Sequence, residues 1–408
     1  MTTRGLTWGL LAAVSFAAAA SACGSSGNGN AAAGAGGSST GTGGSAGATG
    51  GTGGADVDAG GTGGTAGADV DADTSDAADA PAPVVDQIPG VTVSTLAGSS
   101  TQGAKDGTGA DAQFNNPVNV IIAPTGDLIV ADFDNALLRR VTTAGVVTTL
   151  TSQSGFVRPF GLAYTPSGTL IAETDWNNPN QGDDTTGALW SVNIATGAAT
   201  LIQANLGRPR GLVAMSASSL FMADPIAHYL RLYDLTAKTS STLAGVAGVS
   251  GFVDGSGANA RFNGSYGSAK LPDGNVVLAD LGNDAIRMVT PAGVVTTVAG
   301  DGTPGMVDGS LSEARFDSPR DVAVDAAGRI YVSDNGNHRI RVIDVAAGTV
   351  RTVAGKGTQG YQDGAGGDAQ FFGQEGLDVT SDGKTIYVAD GNGGDPYPYH
   401  RIRKIQLP

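Results

Sequence analysis

Residues 319–355 read PRDVAVDAAGRIYVSDNGNHRIRVIDVAAGTVRTVAG. Four short runs of alternating apolar residues, DVAVD (321–325), IYVSD (330–334), RIRVID (339–344) and VRTVAG (350–355), are separated by clusters of glycine, asparagine and aspartate. Period-two alternation broken at short intervals by such turn residues is the pattern of a four-stranded antiparallel sheet.

The unit recurs in both directions from this stretch. Its second strand ends in an acid, as LIVAD (Asp132), LIAE (Glu173), LFMAD (Asp224), VVLAD (Asp280), IYVSD (Asp334) and IYVAD (Asp390). Successive acids lie 41, 51, 56, 54 and 56 residues apart, the length of a four-stranded propeller blade with a long connection. Six acids give six blades, so the fold expected is an all-β, six-bladed β-propeller. The fourth strand also occurs six times: VSTLAG (93–98), VTTLTS (147–152), ATLIQA (199–204), SSTLAG (240–245), VTTVAG (295–300) and VRTVAG (350–355). Its first copy precedes the first blade and none follows the last. The N-terminal strand is therefore predicted to complete the C-terminal blade, which removes the open sheet edges.

Between these strands run ALLRRV, HYLRLY, AIRMVT, HRIRVI and HRIRKI, and four connections carry DGTGADAQF (106–114), DGSGANARF (254–262), DGSLSEARF (308–316) and DGAGGDAQF (363–371). Together these motifs resemble the NHL repeat over about Val91 to Leu407. The resemblance implies a propeller of the superfamily that includes gluconolactonase-like enzymes, and it does not by itself imply one function.

The composition agrees with such an array. The 408 residues include 65 Gly and only 15 % charged residues, which suits many short strands joined by tight turns. Residues 1–23 have the form of a lipoprotein signal peptide: Arg4, an apolar stretch from Leu6 to Ala20, then small residues ending at Cys23, the sole cysteine. Lipidation of Cys23 would anchor the protein to a membrane; by resemblance to sorting signals, Gly24 favours the outer membrane of a bacterial envelope. Residues 24–88, rich in Gly, Ala, Ser, Thr and Asp, read as a disordered tether, and residues 89–408 as the propeller. The net charge of −15 divides into +1 from Arg4, −8 from the tether and −8 from the rest. An exported acidic domain is a poor nucleic-acid binder, and a monomer is expected.

Most repeated polar residues read as structural. The acids are expected to accept backbone hydrogen bonds in their own turns. His228 and His338 follow the acid by four residues and His400 holds the same place before the third strand, so repeat phase explains them without zinc. The residues entering the inner strands, Val118, Phe160, Arg210, Tyr266, Arg320 and Glu375, are predicted to surround the channel mouth. Gluconolactonase-like propellers hold calcium there; two arginines and one carboxylate supply too few oxygens, so no metal or cofactor is expected. Arg210, Tyr266, Arg320 and Glu375 are instead candidates for a carboxylate or phosphate ligand, or balance one another's charge.

Two expanded turns form the second candidate surface. One contains Trp176, Asn177, Asp183 and Asp184, the other Asp395, Tyr397 and Tyr399. Aromatic side chains beside Asn and Asp suit sugar or peptide recognition, and loops on a rigid scaffold are where function is carried. The sequence thus points to a membrane-anchored extracytoplasmic binding module for a protein, peptide or glycan, with no catalytic residue assigned. The alternative is an enzyme resembling streptogramin lyase or gluconolactonase that acts at the channel mouth.

Overall fold

A computed structural model describes residues 86–176, 185–391 and 399–408. The alternating runs form six antiparallel sheets arranged as blades, each beginning with its inner strand. Blade one comprises Pro117–Ile122, Leu128–Asp132, Leu137–Val141 and Val146–Thr151. Blade two comprises Val157–Tyr164, Leu170–Trp176, Ala188–Val192 and Ala199–Ala204. The inner strands of blades three to six are Gly211–Ala214, Ser265–Lys270, Pro319–Val324 and Gln374–Val379. Each inner strand packs against the next, and the sixth against the first, so the ring is closed.

Closure follows the predicted route. Thr92–Ser99 lies antiparallel to His400–Gln406, pairing Thr92 with Gln406 and Ser99 with His400. The DG connections are short fifth strands: Gly107–Thr108, Gly255–Ser256, Gly309–Ser310 and Gly364–Ala365 each pair with the outer strand of the blade they enter. Blades two and three have no DG connection and have four strands. Asp86–Ile88 docks on the outer edge of blade five, where Gln87 bridges Thr352 and Asp86 pairs with Arg351 at 2.7 Å.

Six apolar clusters fill the six blade interfaces. In blade four, Val277 and Ala279 face blade five while Val276 and Leu278 face blade three. Both faces of the second strands are buried, which is why they read as nearly continuous apolar runs. Near the axis the inner strands approach too closely for side chains at some positions. A Cβ on Gly211 would lie 2.2 Å from the Tyr266 carbonyl oxygen, so the glycine of the Pro-x-Gly triplet is a packing requirement.

In every blade but the second, the polar residues of the repeat assemble around one buried arginine. In blade five, Arg341 donates to Asp334 at 2.8 Å and to Asp308 of the DG connection at 2.5 Å, and its guanidinium lies 5.2 Å from the Phe316 ring centroid. Arg139, Arg287 and Arg403 repeat this with Asp132 and Asp106, Asp280 and Asp254, Asp390 and Asp363. Each terminal Asp also accepts a backbone N–H from the segment leading to its inner strand, as Asp317 N–H to Asp334 Oδ1 at 2.8 Å. Burial pushes Asp132 and Asp334 up to about 6, against the pull of the arginine.

Blade two departs from the expected ring of acids. The register pairs Pro159 with Thr174, as Pro117 pairs with Asp132, so Thr174 rather than Glu173 occupies the acid position. Trp190 replaces the arginine and its Nε1 donates to Thr174 Oγ1 at 3.0 Å. The acid of LIAE misleads because it stands one residue early, and in a strand one residue reverses the face. The histidines brace neighbouring blades: His228 Nδ1 accepts the Gly264 N–H and His400 Nδ1 accepts the Asn116 N–H, both at 3.1 Å. His338 stacks on Phe372 of blade six.

Arg341→Met strands Asp334 and Asp308 without their cation and is expected to cost about 3–5 kcal/mol, read from the urea midpoint. Arg140→Met, which breaks a half-exposed pair with Asp127 at 3.7 Å, is expected to cost less than about 1 kcal/mol.

Candidate functional site

The four ligand candidates of the predicted mouth, Arg210, Tyr266, Arg320 and Glu375, are brought together, and they are joined by Asp175 from the end of blade two's second strand. Asp175 is fully buried and accepts from Arg208 Nη2 and Arg210 Nη2, each at 2.5 Å, and from Arg210 Nε at 3.2 Å. Arg210 Nη1 donates to the Tyr266 hydroxyl. Arg320 pairs with Glu375. The Arg210 guanidinium lies 4.3 Å from the Phe160 centroid and 5.4 Å from that of Tyr266, and those two rings meet edge to face at 5.4 Å. Phe133 meets Phe160 at 6.1 Å. Three aromatic rings and a saturated guanidinium therefore plug the mouth, with Val118 buried beside Phe160. Both arginines named as ligand candidates are engaged by carboxylates of the same ring.

Glu173 sits behind this plug. Gly161 N–H donates to its Oε2 at 3.2 Å, and its Oε1 has no partner among the described residues. Burial, with the adjacent Asp175 charge second, raises its carboxyl well above the usual range. Burial also acts to raise Asp175, but Arg210 and Arg208 outweigh it and hold that carboxyl below its ordinary value. The two neighbouring carboxyls are thus shifted in opposite directions.

Below the plug, a cavity of about 280 Å³ follows the axis and is lined by Asn119, Tyr164, Ser268, Lys270, Asp321 and Asp378, among others. Its polar residues staple inner strands together. Asp321 accepts the Val322 N–H at 2.9 Å and the Leu377 N–H of blade six, also at 2.9 Å. Asp378 accepts the Ile122 N–H of blade one at 2.7 Å, and Asn119 Nδ2 donates to the Phe160 carbonyl of blade two at 3.0 Å. Burial pushes the Asp321 carboxyl up to about 8, with the nearby Asp378 adding to it. No three His, Cys, Asp or Glu side chains among the described residues are grouped to hold a metal ion.

Of the expanded-turn candidates, Trp176 and Tyr399 are described; Asn177, Asp183, Asp184, Asp395 and Tyr397 lie outside the described residues, as does Cys23. Trp176 is capped by Arg158, whose guanidinium lies 4.0 Å from the indole centroid. Tyr399 lies 5.5 Å from Tyr361 and 4.9 Å from Phe372.

Comparison with known proteins bears on this arrangement. Residues 316–343, which carry the Arg341 and Asp334 pair, match the family model described as NHL repeat. The match spans one blade's second and third strands. Over 117 residues the chain is 41% identical to NHL repeat-containing protein 2 of Bos taurus, covering 26% of this chain and 16% of that protein. It is 25% identical over 310 residues to Protein SUPPRESSOR OF QUENCHING 1, chloroplastic, of Arabidopsis thaliana, covering 65% of this chain and 28% of that one. The chain spans less than a third of the length of these curated relatives. Among solved structures, an auxiliary nutrient binding protein from Bacteroides thetaiotaomicron superposes with a TM-score of 0.61 at 20% identity, over 77% of this chain and 76% of that one. That likeness shows the propeller fold.

Two residues of this propeller escaped the sequence reading. Asp175 reads as part of an expanded turn, yet the strand runs on to Trp176 and buries it at the mouth. The GRPRG run at 207–211, with two arginines two residues apart, is the signal that a carboxylate must stand opposite. Tyr361, 52% exposed, lies in a repeated connection at a position that varies between blades.

Asp175→Asn should destabilise the propeller by about 3–5 kcal/mol by leaving two guanidinium groups without their anion, whereas Glu173→Gln, which replaces a carboxyl that burial shifts toward its neutral form, should cost less than about 1.5 kcal/mol in the same denaturation experiment. The Asp321 proton gives a pH effect of definite sign. A folded-state value of about 8 against an ordinary 3.8 means that the folded chain holds a proton the unfolded chain releases. The resulting stability is complete below about pH 4 and lost as pH rises through 8. Urea midpoints measured from pH 5 to 9 should therefore fall more steeply for the wild type than for Asp321→Asn.

Proposed function

We propose that this NHL propeller is a non-catalytic binding module of the bacterial cell envelope, anchored through lipidated Cys23 and presenting its connection face to a protein, peptide or glycan. The observation that carries this reading is the saturated mouth. Among the described residues, both arginines of the channel entrance, Arg210 and Arg320, are paired with carboxylates of the same ring, Asp175 and Glu375, while Tyr361 remains exposed on the connections. Propeller connections vary on a rigid scaffold, the usual location for recognition. The shared fold with a Bacteroides protein described as nutrient binding supports the same class of role.

The attachment of the N-terminal segment also supports it. Asp86–Ile88 meets the ring at the outer edge of blade five, away from the channel mouth. A flexible tether of sixty-odd residues has a mean reach of roughly 40–50 Å, enough to hold the propeller clear of a membrane surface. By sequence, we also assign Asn177, Asp183, Asp184, Asp395 and Tyr397 of the two expanded turns to the proposed surface.

Two measurements test the proposal. Cys23→Ser should move the protein from the membrane fraction to the soluble fraction and abolish incorporation of labelled fatty acid; an unchanged distribution removes the anchor. Full-length protein used as bait in envelope extract should retain a partner whose binding falls about tenfold or more when Asp183, Asp184, Asp395 and Tyr397 are replaced together by alanine. Failure to retain anything, or turnover of a substrate by the purified protein, counts against a binding module.

A further inference from the structure

One position of the connection varies in a way that the scaffold does not require. Two residues before the connection Asp stand Ala104, Phe252, Met306 and Tyr361, entering blades one, four, five and six. Phe252 and Tyr361 are exposed, and each packs beside an arginine of the third strand, 4.9 Å from Arg287 and 4.6 Å from Arg401. At blade six this position borders a groove of about 740 Å³, within the ~300–1,000 Å³ range of small-molecule sites. Tyr361 and Tyr399 form one side, and Gln359, Gln362, Thr95 and Ser99 contribute to the rest.

The aromatic side is rigid. Tyr361 leans on Tyr399 at 5.5 Å, Tyr399 on Phe372 at 4.9 Å, and Phe372 is stacked on His338 of blade five at 6.3 Å. This row of rings holds Tyr361 half in solvent without a mobile side chain beneath it. The charges at the groove are already satisfied. Asp363 is held by Arg403 at 2.7 Å and accepts the Thr95 N–H at 2.9 Å. Arg401 lies over the Tyr361 ring. What faces the groove is an aromatic surface with neutral amides and hydroxyls.

We infer that this groove binds a neutral oligosaccharide, with one pyranose ring stacked on Tyr361 and its hydroxyls bonded by Gln359 and Gln362. A sugar ring has an apolar C–H face and a rim of paired hydroxyls, and needs an aromatic platform and side chains that both donate and accept. A peptide added as an extra strand fits less well. Asp363 occupies the Thr95 N–H, and Gly364–Ala365 already pairs with Thr92 and Val93, so the sheet edge there is covered. An anionic ligand would meet no unsatisfied cation. The inference rests on the binding-module reading and names the ligand class for one part of that face.

The test uses full-length protein and short neutral fragments of α-glucan, β-glucan, mannan, xylan and galactan, assayed by calorimetry. At least one is expected to bind, with Tyr361→Ala weakening it tenfold or more and Tyr361→Phe leaving it within about threefold, at unchanged melting temperature. Absence of binding to every fragment, or binding that survives Tyr361→Ala, overturns the inference. If envelope protein is still captured in that event, the binding-module reading stands and the glycan assignment alone falls. If neither is bound, both fall.

Discussion

The buried arginine found in five of the six blades is the interaction on which the rest of the ring depends. Arg341 ties the end of the second strand, through Asp334, to the incoming connection, through Asp308. Asp334 in turn anchors the chain leading into the inner strand. One side chain thereby fixes three segments of a blade: the strand that ends, the connection that arrives and the strand about to begin. A guanidinium suits this task because its several donors lie in one rigid plane and it remains charged when desolvated. In blades one, four, five and six the cost of burying it is offset by two carboxylates, one from the DG connection and one from the strand end. Blade three lacks a DG connection, and its Arg231 contacts Asp224 at 3.4 Å and the Leu206 carbonyl instead.

The fold was legible because its periodicities are independent and agree. The acid-ended strand and the VTTVAG-like strand each occur six times, and their phase difference defines the closing strand before any contact is known. Where the text of the repeat is degenerate, reading it goes astray. LIAE supplies an acid one residue away from the structural position, and only the pairing of Pro159 with Thr174 reveals the offset. The mouth was half legible. Alignment of the Pro-x-Gly triplets selects the right six residues, yet nothing local indicates that Arg210 points at Asp175, thirty-five residues earlier in a neighbouring blade. Long-range charge pairing is set by ring geometry, which spacing along one blade does not encode.

The mouth and the axial cavity divide the labour of holding the inner strands. At the entrance, Arg210 links blade two to blade four and Arg320 links blade five to blade six. Deeper, Asp321 joins blades five and six, Asp378 joins six and one, and Asn119 joins one and two. Polar groups along the axis thus act as cross-links between blades, while apolar clusters fill the interfaces farther out. Such a ring is stiff at its centre, and it leaves variation to the connections and expanded turns at the periphery.

The strand Thr92–Ser99 has its partner at the far end of the ring's sequence. His400–Gln406 follows the strands of the other blades, so Thr92–Ser99 stays unpaired on that side until the rest of the ring has been made. Contacts so distant in sequence slow the final step of folding. The waiting strand suits the delay: VSTLAG alternates its few apolar residues with serine and threonine and is followed by a polar segment, and so offers little for a neighbouring molecule to pair with. The ring is therefore a clasp that shuts only when His400–Gln406 arrives beside Thr92–Ser99, and its latch is built to stay soluble until then.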